Sequence, residues 1–199
     1  MKVCVLQPLF PKTPAQSPQF IDWLFQELDR CDNTVDLIVL PEYCNAPSVY
    51  PEPSVYLSDV ETYTVPLLEK VRDTCRRCRA FIAVNLAHSY NGVLRNTTLL
   101  FDRQGRESGA YFKQQLFPTE PQKKLVDTSY TLKEREPTMV DLEGIRFGFL
   151  TCYDFYFPEM LAFMAKRQPD IVIGCSHQRG ERQDVLEILG RSCALTCNA

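Results

Sequence analysis

The chain has 199 residues, with 22 Lys+Arg against 25 Asp+Glu and a formal net charge of −3. Apolar residues make up 45% and charged residues 24%, which excludes long disorder, collagen and coiled coil. The mildly acidic balance lacks the basic footprint of a nucleic-acid or anionic-membrane binder, and no apolar run approaches the ~20 residues of a membrane-spanning helix.

In chain order, Val3–Leu6 reads as a short strand running into prolines. Its apolar run is too short for a signal peptide and no small-residue cleavage site follows, so the expected location is the cytoplasm. Ser17-Pro18 reads as an N-cap and first-turn proline of a helix whose inner face carries Phe20, Leu24, Leu28 and Cys31. Val35–Leu40 is a continuous apolar run, as a strand covered on both faces requires. Residues 44–57, with Pro47, Pro51 and Pro53, read as a surface loop. A helix over about Thr64–Arg79 follows, with Pro66 in its first turn. Phe81–Leu86, Val93–Phe101 and Glu107–Tyr111 read as strands of a meander, linked by Tyr90-Asn91-Gly92 and Asp102–Gly105. Residues 114–137 form a long polar loop of the kind that often carries function. Thr138–Leu142 and Ile145–Leu150 flank Glu143-Gly144, a tight hairpin. A helix over Pro158–Arg167, a buried strand Ile171–Gly174 and a helix from about Arg182 complete the order. Buried strands, hairpins and amphipathic helices together predict an α/β class with helices covering sheet faces.

The nine cysteines are odd in number and scattered, which argues for free thiols rather than a disulfide framework. Cys75 and Cys78 share an apolar helical stripe with Leu68 and Val71, so they read as core. A zinc site would need a second ligand pair, for which Cys193 and Cys197 are a weak candidate. No metal and no cofactor is expected.

Three polar residues directly follow apolar strands. They are Glu42 in Leu-Pro-Glu-Tyr, Lys113 in Tyr-Phe-Lys-Gln, and Cys152 in Leu-Thr-Cys-Tyr-Asp. Ligands of α/β sheets bind outside the carboxyl ends of strands, so these groups could converge on one cleft. A thiol near pKa 8.5 is only a few per cent thiolate at neutral pH. An adjacent Glu42 could take its proton and pass it to a leaving amine. A Lys113 ammonium and the backbone N–H of Tyr153 could stabilise an oxyanion. The product of attack on an amide is a thioester that water hydrolyses.

At these residues the chain resembles the nitrilase superfamily, the carbon–nitrogen hydrolases. The resemblance is carried by Leu40-Pro41-Glu42, by Tyr111-Phe112-Lys113 with Leu116-Phe117-Pro118, and by Cys152-Tyr153-Asp154 with Phe157-Pro158-Glu159. Asn96, Arg191 and Ala194 are weaker echoes. It implies a four-layer α-β-β-α sandwich, a Glu-Lys-Cys triad, and a small-molecule substrate with water as acceptor. The substrate would be an amide, an N-carbamoyl compound or a nitrile. It also implies a second active-site glutamate after the lysine, for which Glu120 is the best candidate, with Glu134 and Glu136 in the same loop. Family members often carry an arginine where this chain has Tyr156, so substrate identity does not transfer. Tyr43, Tyr153, Phe155 and Tyr156 are expected to make the pocket aromatic, with His177 at its wall.

Two other readings compete. One is a Cys–His thiol hydrolase using His88 or His177 as base. The other is a non-catalytic scaffold acting through protein contacts. The resemblance further implies that residues 1–199 are a single hydrolase domain lacking its last strands. Its uncovered sheet edges and apolar helix face would favour a homo-oligomer.

Overall fold

The structure, a computed structural model, describes residues 1–90, 92–128, 139–178 and 180–198. Its elements run β1 (Val3–Val5), α1 (Ser17–Arg30), β2 (Leu37–Val39), α2 (Pro53–Cys78), β3 (Phe81–Tyr90), β4 (Val93–Phe101), β5 (Glu107–Phe112), α3 (Glu120–Lys123), β6 (Val140–Leu142), β7 (Ile145–Thr151), α4 (Pro158–Arg167), β8 (Ile171–Cys175) and α5 (Gln183–Cys197). Strands β1 to β5 form one sheet in sequence order, and β6-β7-β8 form a second. In the first sheet β1, β2 and β3 are parallel, and β3-β4-β5 is an antiparallel meander. Because two reversals restore direction, β5 points the same way as β2 and β3. In the second sheet β6 and β7 form a hairpin, and β7 pairs with β8 in parallel.

Alternation along the strands sorts side chains into two cores. Ile38, Ile82, Val84 and Phe101 face α1 and α2, where Phe20, Leu24, Leu28, Leu68 and Val71 meet them. Leu37, Phe81, Ala83 and Leu100 face the second sheet, packing with Phe147, Phe149 and Ile173. Met160 and Met164 of α4 and Cys193 and Cys197 of α5 join this second core. The layers are therefore α-β-β-α, as expected. Burying each large side chain contributes roughly 1.5–3 kcal/mol. The sheets approach closely at Gly109, where an added Cβ would collide with Val140.

Several local expectations change. The strand expected over Val35–Leu40 is only Leu37–Val39, because Val35 closes a turn onto the Asp32 carbonyl. Ser17 is the first residue of α1 rather than its cap; a 3-10 turn over Pro14–Gln16 precedes it. Helix α2 begins at Pro53, eleven positions before the expected start, and Pro66 lies in its interior. Pro53 is the proline that occupies the favoured first-turn position. The supposed surface loop is also misjudged, since residues 41–48 are all buried. The Glu143-Gly144 hairpin has φ of 52° and 78° at its two turn residues, the left-handed pair of a type I′ turn. The Tyr90-Asn91-Gly92 link involves Asn91, which lies outside the described residues, as do Glu134, Glu136 and Thr138.

Candidate active site

The carboxyl ends of β2, β5, β7 and β8 meet at one edge of the sandwich. Glu42 follows β2, Lys113 directly follows β5, Cys152 directly follows β7 and His177 follows β8. All four line one cavity of about 510 Å³. Parallel strands from two sheets thus deliver the polar groups that the sequence places at separate strand ends.

At the floor of this cavity sits a buried ion network. The Lys113 ammonium lies 3.0 Å from Glu42 Oε1 and 2.7 Å from Glu120 Oε2. Asn96 Nδ2 donates to the same two carboxylates, at 2.8 Å and 3.0 Å. The Tyr43 phenol and the Phe117 backbone N–H complete the shell of Glu120. The backbone N–H of His177 donates to Glu42 Oε2 at 3.0 Å. Burial works against the charge on Glu42, but Lys113 first, then Lys124 and the Asn96 amide, hold its carboxyl below the usual range. Burial likewise opposes the charge on Lys113, and the Glu42 and Glu120 carboxylates outweigh it and push its pKa up. The pair is therefore ionised at neutral pH.

Cys152 differs. Burial, reinforced by the Glu42 carboxylate and partly offset by Lys113, pushes its thiol up to about 12. The resting thiol is therefore protonated, and to act as a nucleophile it would need a base. Its backbone is in the left-handed region, φ 48°, a strained conformation for a residue with a Cβ that persists only where its surroundings enforce it. Here the enforcing group is Asp154. Its fully buried carboxylate accepts the Thr151 N–H at 2.8 Å, the Tyr111 phenol at 2.7 Å and the Gln115 N–H at 2.7 Å. One side chain thus ties the turn after β7 to the loop that carries Lys113. Burial pushes Asp154 up to about 6, against the pull of those three donors.

Of the residues singled out in the sequence, Glu42, Tyr43, Lys113, Glu120, Cys152, Tyr153, Tyr156 and His177 all line the cavity. Glu120 is 6% exposed, so its carboxylate is buried rather than solvated. Tyr153 packs edge-on against Phe117, and the Tyr156 phenol donates to Glu181 at 2.6 Å. His88 is not brought to the cavity; it sits on β3 with its Nδ1 buried and without a hydrogen bond. The His177 ring stacks on Phe10 at 3.4 Å. Phe155 lines a different hollow, beside Gly174. Among the described residues no group of His, Cys, Asp and Glu could hold a metal ion. Cys75 and Cys78 belong to one core and Cys193 and Cys197 to the other, so they cannot share a zinc. The sequence reading missed Asn85 and Lys124. Asn85 did leave a signal, a lone amide inside the apolar run of β3. Lys124 left none, because its ammonium reaches the site by lying 3.3 Å over the ring of Tyr43.

A family model described as "Carbon-nitrogen hydrolase" matches residues 10–198. A hydrolase of Schizosaccharomyces pombe is 30% identical over 157 residues, covering 75% of this chain and 45% of that protein. This chain thus spans less than half the length of that curated relative. Among solved structures, an amidase from Nesterenkonia sp. superposes with a TM-score of 0.77 at 21% identity, over 100% of this chain and 73% of that one. A cysteine-to-alanine variant of the amidase from Nesterenkonia sp. AN1, in complex with butyramide, gives 0.74 at 21%, over 100% and 73%. At such identity these neighbours speak for the fold.

Proposed function

The chain belongs to the carbon–nitrogen hydrolase family, and on that premise we propose that it hydrolyses a small amide, N-carbamoyl compound or nitrile through a Cys152 thioester. The carrying observation is the Lys113 ammonium bridging Glu42 and Glu120 at the floor of a cavity that Cys152 also lines. In the proposed reaction on an amide, Cys152 Sγ attacks the carbonyl carbon while Glu42 takes the thiol proton. The carbonyl oxygen becomes an oxyanion beside Lys113, with the Tyr153 N–H as second donor. Collapse breaks the C–N bond, and Glu42 gives its proton to the leaving nitrogen, which departs as an amine or ammonia. Water then attacks the thioester, Glu42 takes its proton, and the thiol is restored as the acid leaves.

The cavity wall supports a small substrate with an apolar body, since Phe117, Tyr153 and Tyr156 stand beside Lys123, Lys124 and Glu181. All nine cysteines are free thiols, which supports a reducing, cytoplasmic setting. We read residues 1–199 as one hydrolase domain. The test is ammonia release from butyramide and from panels of amides, N-carbamoyl compounds and nitriles, with Cys152→Ser as control. Release above that control, with an acyl adduct on Cys152 by intact mass, is expected. A signal equal to the control in every panel would leave the scaffold reading ahead.

A further inference from the structure

The buried amides around the ion network can be oriented without ambiguity. The Tyr43 backbone N–H is a fixed donor, and it meets Asn85 Oδ1 at 2.9 Å. Asn85 Nδ2 must then face the other way, and it donates to Asn96 Oδ1 at 2.8 Å and Thr98 Oγ1 at 3.0 Å. Asn96 must therefore turn its own Nδ2 toward Glu42 and Glu120. Each step follows from amides having one donor end and one acceptor end. Asn85 and Asn96 are 0% and 1% exposed, so water does not substitute for a lost partner.

Counting acceptor sites then separates the two glutamates. Glu120 Oε1 accepts from Tyr43 and Asn96, and Oε2 accepts from Lys113 and Phe117 N–H. A carboxylate offers about four lone-pair sites, so Glu120 is saturated. Among the described residues, Glu42 Oε1 accepts from Lys113 and Asn96, whereas Oε2 accepts only the His177 N–H. One acceptor site in the network stays open, on Glu42 Oε2.

Building on the thiol chemistry proposed above, we infer that Asn96 is a positioning residue that leaves Glu42 Oε2 as the oxygen receiving the Cys152 proton, and that Asn85 sets its direction. Glu120 in this arrangement holds Lys113 and Asn96 and takes no proton. The transfer is complete in itself: the S–H bond breaks, an O–H bond forms on Oε2, and sulfur keeps its electron pair for the electrophile.

The titratable groups facing position 96 are Glu42 from the loop after β2, Lys113 from the end of β5 and Glu120 from α3. Tyr43 and Lys124 border them, and Cys152 lines the same cavity, with its thiol interacting with Glu42. The experiment is alkylation of Cys152 by iodoacetamide in the full chain, read by peptide mass from about pH 8 to about pH 5 as a ratio to the parent protein. The ratio cancels the titration of Asp154, which both proteins share. Asn96→Asp, nearly isosteric, sets a third carboxylate against the other two. We expect alkylation about tenfold slower at the alkaline end, recovering toward the parent as acidification turns the new carboxyl into a donor. Asn96→Leu, which removes the donor without adding charge, should be slower with no recovery in acid. Asn85→Asp keeps the acceptor for Tyr43 but turns the Asn96 amide over. It should also be slower, and it carries the test if a variant at position 96 does not fold. Parental rates in the variants, or equal losses for Asn96→Asp and Asn96→Leu at every pH, would overturn the inference. Turnover is not used, so a parent that alkylates at Cys152 yet hydrolyses no amide counts against the proposed function alone.

Discussion

At the scale of single residues the site is a matter of which charge sits beside which buried group. Cys152 is pushed up to about 12 by burial and by Glu42, so the same carboxylate that we propose as the base also suppresses the free thiolate. The two effects separate in Glu42→Gln. Removing the negative charge lowers the thiol pKa, so the midpoint of the pH curve for iodoacetamide alkylation of Cys152 should move to lower pH, while the rate below that midpoint falls because no carboxylate takes the proton. Turnover should fall about 10²–10⁴-fold, the usual contribution of a positioned base. An alkylation curve that moves up or stays put would contradict this assignment. The sequence made Glu42, Lys113 and Cys152 legible because each polar residue interrupts or directly follows an apolar strand. It put Glu120 ahead of Glu134 and Glu136 only through the family resemblance, since a polar loop has no periodicity from which to read its burial.

At the scale of elements, Asp154 is what makes a strand end into a site. Its three acceptor contacts span β7, the turn at Cys152 and the loop bearing Lys113. Asp154→Asn places an amide N–H against one of those donors. It should cost roughly 2–4 kcal/mol in urea unfolding, about one or two buried unsatisfied pairs. Because burial raises Asp154 to about 6, its acceptor contacts weaken as pH falls through that value. The parent enzyme should therefore show an acid limb of kcat/KM near pH 6 that Asp154→Asn lacks. A second element test concerns α2. Pro66 is exposed in the interior of a 26-residue helix, where proline removes a hydrogen bond at a cost of about 3 kcal/mol. Pro66→Ala should raise the urea midpoint, by about 1–2 kcal/mol once the looser unfolded chain is counted. An unchanged or lowered midpoint would mean that the helix needs the break. The start of α2 was misread for a related reason: two prolines each offered a first-turn signal, and only packing of Tyr56 and Val60 against Tyr43 and Ala87 chose between them.

At the scale of the whole molecule, exposed apolar surface bears on association. Among the described residues, strands β1 and β8 are sheet edges, Val3 and Val5 are half exposed or more, and α5 presents Ile188 and Leu195 outward. Open edges and apolar patches favour pairing between chains, so we expect the 199-residue chain to self-associate. Sedimentation velocity over a range of concentrations should show a species heavier than the monomer. A single monomeric boundary at every concentration would count against this expectation. No helix among the described residues is long and apolar enough to cross a membrane.

The sequence by itself determined the class of fold, the alternation of strands and helices, and the three polar groups at strand ends. Those follow from short-range rules: apolar periodicity, turn residues, and what an apolar run can bury. Only the tertiary structure decided which groups meet. Asn85 and Asn96 come together because β3 and β4 are neighbours in one sheet, and Cys152 reaches Glu42 only because a second sheet packs on the first. Direction, protonation and the open oxygen of Glu42 are likewise properties of that assembled, buried interior. There a donor or acceptor must find its partner from whatever distant segment the fold supplies.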